Sequence, residues 1–124
     1  MTASAIAVRS GALALGRTAA VLALCSALVH LLLLDAGSLG SVVMVGMAAA
    51  CLPCAWHLWR SPTGPVWRVT AAVDAAMLVL HTQMLAAPQE HAHHGSQVSG
   101  LMWLGLGLVG AQLALAGVAA VRRP

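Results

Sequence analysis

Two stretches of the chain carry soft donor side chains at helical spacing. Met44, Met47, Cys51 and Cys54 stand at offsets 0, 3, 7 and 10, which at about 100° per residue puts all four inside an arc of roughly 80° on one helix face. Asp74, Met77, His81 and Met84 repeat those offsets. Thioether, thiolate and imidazole form the donor set that suits Cu(I), whereas Ca or Mg would require oxygen. Zinc would be content with cysteine and histidine, so the methionines turn the chemistry toward copper. The same spacing also describes an ordinary packing seam, in which methionine is a common filler. A seam with only a structural task in lipid should use Gly, Ala, Ser or Leu, and none of the eight positions does.

Depth along each helix can be counted from the arginines at its end. Met44 and Met84 are each 16 residues from Arg60 and Arg68 respectively, Met47 and His81 are 13, Cys51 and Met77 are 9, and Cys54 and Asp74 are 6. The short turn Ser61-Pro62-Thr63-Gly64-Pro65 makes the two helices antiparallel neighbours. The pairs therefore fall at matched levels, and the expectation is a donor seam between the second and third helices. His30, 13 residues beyond Arg17, joins the Met47/His81 level. Cys25 lies about 140° around the helix from His30, so only one of the two can face the interior. On this reading Met84, Met44, His81, Met47 and His30 form an outer site, and Met77, Cys51 and Cys54 an inner one. The cluster His91, His93 and His94 in the loop 88–99 would collect ions from outside.

Asp74 is costly at membrane depth, about 2.5 to 3.5 kcal/mol for a charged Asp near a helix centre. It is expected to pair with His57 or hydrogen-bond Thr70, and to carry protons or balance a bound cation. Cys51-Leu52-Pro53-Cys54 can share a metal or form a disulfide, and Pro53 should bend its helix. The motif is similar, over four residues, to the thioredoxin-type C-x-P-C. It also resembles that of membrane thiol oxidases and quinone-linked reductases, but those use a second cysteine pair, and here only Cys25 is left. His30 and His81, at one depth, could alternatively ligate haem b, with Gly46, Ala48 and Ala75 making room. A third reading is an accessory subunit, without chemistry of its own, that holds a larger membrane complex together.

The elements that must position these groups are membrane helices. Of 124 residues 60% are apolar and 7% charged, where soluble domains carry roughly 25% charge. Four apolar segments approach the length of about 20 residues needed to span a bilayer: 18–34, 39–59, 66–87 and 101–121. The expected fold is therefore all-α, an up-down bundle of four transmembrane helices, with residues 1–17 a tail or interfacial helix and 122–124 a short tail. Arg9, Arg17, Arg60, Arg68, Arg122 and Arg123 all fall on one side of it, and Asp35 and Glu90 on the other. Retention of positive charge in the cytoplasm then puts both termini there. Trp56, Trp59 and Trp67 fit the inner interfacial belt and Trp103 the outer. Gly105, Gly107, Gly110 and Gly117 predict a closely packing fourth helix.

The lack of Phe, Tyr, Lys and Asn and the single Ile6 are what a GC-rich genome gives, and the setting expected is a bacterial plasma membrane. Scattered arginines exclude nucleic-acid binding. The expected partners are the lipid bilayer, a metal ion, and a second copy or a larger membrane complex. No nucleophile with a base and an oxyanion hole can be assembled, so no enzyme is expected. The function expected is binding of a soft metal, foremost Cu(I), for transport, buffering or sensing. The likeness to three-span copper importers is chemical only, because those carry M-x3-M and this chain Met44-x2-Met47.

Overall fold

The computed structural model describes residues 3–34, 39–86 and 95–122, with side chains at 10–34, 40–83, 85–86 and 100–122. Its described residues form four helices: α1 Ala3–Leu32, α2 Leu39–Arg60, α3 Gly64–Ala86 and α4 Gly95–Val121. Three of them, over Ser10–Leu32, Gly40–Arg60 and Gly100–Val121, are long and apolar enough to cross a membrane. Asp35, Glu90, His91, His93 and His94 lie outside the described residues.

α1 does not begin at Thr18 but at Ala3. Residues 3–17 are Ala-rich and free of proline, so nothing interrupts the backbone ladder. α4 likewise starts at Gly95, within the segment expected to be loop. Between α2 and α3 the chain turns in three residues: the Ser61 amide donates to the His57 carbonyl at 2.8 Å and that of Thr63 to Ser61 at 2.7 Å. Pro65 follows in the first turn of α3, where its missing N–H costs nothing. α2 continues through Pro53 as one helix.

The helices pack in a ring in which α1 meets α2 most extensively, α4 lies against both α1 and α3, and α2 meets α3 least. Small residues let the backbones approach. Ala19, Ala20, Ala23, Ala55, Ala116 and Ala119 gather around Leu58 and Trp67 at the arginine end. A Cβ on Gly16 would stand 2.6 Å from Pro62 Cβ and 2.7 Å from the Leu58 carbonyl oxygen, so glycine there lets α1 reach the α2–α3 turn. Trp67 is buried in this core and is not an interfacial residue; Trp56, Trp59 and Trp103 are exposed. Toward the middle a second core contains Ala27, Met47, Ala48, Cys51, Met77 and Val109.

The outer faces suit lipid. Val21, Leu28, Val42, Val45, Val69, Val79 and Leu104 are exposed. Exposed hydroxyls bond back to their own helix, Thr18 to the Ala14 carbonyl at 3.1 Å and Thr82 to that of Val79 at 2.8 Å.

Candidate metal centre

The last turn of α1 brings His30 over the carbonyl of Ser26, at 2.7 Å from Nδ1. On α3 the same relation holds His81, whose Nδ1 lies 2.8 Å from the Met77 carbonyl oxygen. A carbonyl oxygen can only accept, so each Nδ1 carries the proton and each Nε2 keeps a lone pair. Both residues are 0% exposed, and neither Nε2 has a hydrogen-bond partner. The rings meet edge to face, with centroids 5.4 Å apart and planes at 67°. An unmet buried acceptor costs about 1 to 3 kcal/mol, and the two stand side by side. An imidazole with one nitrogen tied to a backbone carbonyl and the other free is the arrangement a metal-ligating histidine adopts.

One turn inward lies the sulfur. The Cys51 Sγ stands 4.0 Å from Met77 Sδ, and both are buried with Met47, while Met44 packs against the same cluster from its rim. The Ser26 hydroxyl lies beside the Cys51 thiol, and that of Thr70 beside Cys54. Neither hydroxyl has a hydrogen-bond partner. Asp74 lies near both thiols. It is 3% exposed, and its Oδ2 is also unpartnered. The interior thus holds three polar levels: two imidazoles, then Ser26, Cys51 and Met77, then Cys54, Thr70 and Asp74.

Several sequence expectations meet a different arrangement. The donors do not rely on an extensive α2–α3 seam, because that interface is the smallest in the ring. The two histidines meet instead across the diagonal between α1 and α3, which puts them on the axis. Asp74 pairs with neither expected partner. Its Oδ2 and Thr70 Oγ1 are both unpaired, and His57 is exposed on the α2 face beside Leu52 and Trp56. Between His30 and Cys25 the helix has turned the histidine inward and left the thiol exposed. Met84 sits on α3 with its side chain outside the described part, as are the loop histidines His91, His93 and His94. Of the small residues expected to make room for a haem, Gly46 and Ala75 face outward and only Ala48 is buried. Among the described residues no three His, Cys, Asp or Glu side chains converge closely enough to hold an ion.

Interior groups beyond the two stripes are Ser26, Gln112 and Gly105. A Cβ on Gly105 would stand 3.4 Å from His81 Nε2 and 3.6 Å from Val29 Cγ1. The glycine therefore keeps open the space beside the free nitrogen, whereas a Cβ on Gly107, Gly110 or Gly117 would meet nothing within 4 Å. Ser26 and Gln112 were visible as lone polar residues in apolar spans; the role of Gly105 depends on how α4 turns, which spacing does not give. The chain matches no protein-family model, no curated protein and no solved structure.

Proposed function

We propose that the chain is a membrane bundle that binds one soft metal ion, Cu(I) first, in its interior, for transport, buffering or sensing. The observation that carries this reading is the wholly buried pair His30 and His81, with both Nδ1 atoms engaged and both Nε2 atoms free. Two imidazoles with thioether support from Met47 or Met77 give a neutral, soft set that suits Cu(I). Zinc would take further Cys, His or carboxylate ligands, which the described interior does not gather within reach. The inner cysteines Cys51 and Cys54, with Met77, extend the path by a second set of donors, and Met44, Met84, His91, His93 and His94 extend it outward. Asp74 compensates the cation's charge. The role is one of binding, without catalysis.

Four crossings and cytoplasmic termini belong to the same proposal. α3 carries Arg68, Thr70, Asp74 and His81, and the last three are buried. Its 23 residues reach about 34 Å at roughly 1.5 Å each, enough for a bilayer core of about 30 Å. With α3 crossing, the arginines gather on one face and the positive-inside rule places that face in the cytoplasm of a bacterial cell.

The haem alternative asks that a macrocycle enter between rings already in edge contact, with α1 and α3 parted to admit it. The accessory-subunit alternative leaves the two free Nε2 atoms without a purpose. Anaerobic titration of the detergent-purified chain against a coloured Cu(I) chelator tests the proposal. One equivalent should be withdrawn from the chelator by wild type and none by a His30→Ala/His81→Ala variant of equal helical content. Equal withdrawal by both proteins, or by neither, contradicts it.

A further inference from the structure

Outside the polar interior, α1 and α2 leave a groove of about 670 Å³ lined by Ala20, Leu24, Leu52, Pro53, Trp56 and Trp59 among others. Its size falls in the range of about 300 to 1,000 Å³ typical of small-molecule sites. Apart from His57 the walls are apolar, and they are open outward: Leu24 is 50% exposed, Leu52 54% and Trp56 58%. Small Ala20 and Ala55 set the floor, and the Pro53 ring adds apolar surface to the wall.

The arginine end of this groove is electropositive. The Arg17 guanidinium lies 5.4 Å from the centroid of the Trp59 ring, and that of Arg60 lies 4.4 Å from Trp56. Both cations are thus held over the two tryptophans that line the groove, at the depth where tryptophan sits at a membrane interface. The only carboxylate among the described residues is Asp74, buried on another helix. The cations at the groove's mouth therefore lack an acidic partner of their own among the described residues.

We infer that the α1–α2 groove is a binding site for one anionic phospholipid, its acyl chain along Leu24, Leu52 and Trp56 and its phosphate between Arg17 and Arg60. An apolar groove whose two tryptophans each carry an arginine matches the two parts of such a lipid, whereas a neutral helix of a partner protein would leave the arginines uncompensated. The inference rests on the membrane placement proposed above and not on the metal.

The test incorporates the full chain into nanodiscs of equal parts phosphatidylglycerol and phosphatidylcholine and counts the lipids retained on gentle release, by native mass spectrometry. Wild type should retain one phosphatidylglycerol with roughly tenfold preference, a modest return for two arginines near anionic lipid. Arg17→Gln/Arg60→Gln should lose the preference, and Arg68→Gln, an equal change of charge per site on α3, should keep it. Wild type alone supplies a second reading, since brominated-chain phosphatidylglycerol should quench tryptophan emission more than brominated phosphatidylcholine. Equal retention of the two lipids, equal quenching, or an equal effect of Arg68→Gln overturns the site. Failure of wild type to enter nanodiscs overturns the membrane placement itself, and the site with it.

Discussion

His81 takes its setting from three helices at once: the Met77 carbonyl one turn back on α3, the His30 ring from α1, and the bare backbone of Gly105 on α4. Removing the ring in His81→Ala should weaken Cu(I) binding by more than about 100-fold, since losing even an outer partner of a ligating histidine costs 10- to 100-fold. Chelator competition measures it, and a loss below threefold would deny the residue a ligand role. Gly105→Leu should also abolish binding, by filling the space beside Nε2, while Gly105→Ala, whose Cβ meets that nitrogen at 3.4 Å, should reduce it less. Metal content at equal helicity distinguishes the two substitutions. Asp74 is different. Its Oδ2 makes no hydrogen bond, so Asp74→Asn should leave thermal stability in detergent unchanged or raised, and weaken cation retention. A marked fall in melting temperature would show that the carboxylate has a structural partner.

At the scale of elements, much was legible and the reasons are physical. A helix rises a fixed distance per residue, so counting from Arg60 and Arg68 placed Cys51 level with Met77, and their sulfurs lie 4.0 Å apart. The inward faces of α2 and α3 followed from the offsets for the same reason, with Met47, Cys51, Cys54, Asp74, Met77 and His81 all buried. Counting gives depth but not azimuth between helices. Hence the weak α2–α3 contact, the burial of Trp67, and the outward turn of Gly107, Gly110 and Gly117 were not legible. Nor was the junction at Gly16, where a Cβ would meet Pro62 and the Leu58 carbonyl inside 3 Å. Gly16→Leu should destabilise the fold by about 1 to 3 kcal/mol, the usual cost of overpacking. Denaturant titration in detergent checks this, and an unchanged midpoint would mean that α1 does not seat on the turn.

For the whole molecule, ring order decides which groups share the axis. α1 and α3 stand on a diagonal, yet the His30 and His81 rings meet with centroids 5.4 Å apart, and Gly105 of α4 leaves room beside them. The polar levels that follow, Cys51 with Met77 and then Cys54 with Asp74, form a column continuous with that pair. On the proposed function the column would be the route of an ion through apolar surroundings, with the histidines its outermost described part. X-ray absorption at the copper edge, on the Cu(I)-loaded chain in detergent, examines that assignment most directly. Two imidazole nitrogens with at least one sulfur are expected, and His30→Ala/His81→Ala should remove the imidazole signature. A copper bound by sulfur alone in the unaltered chain would contradict the account.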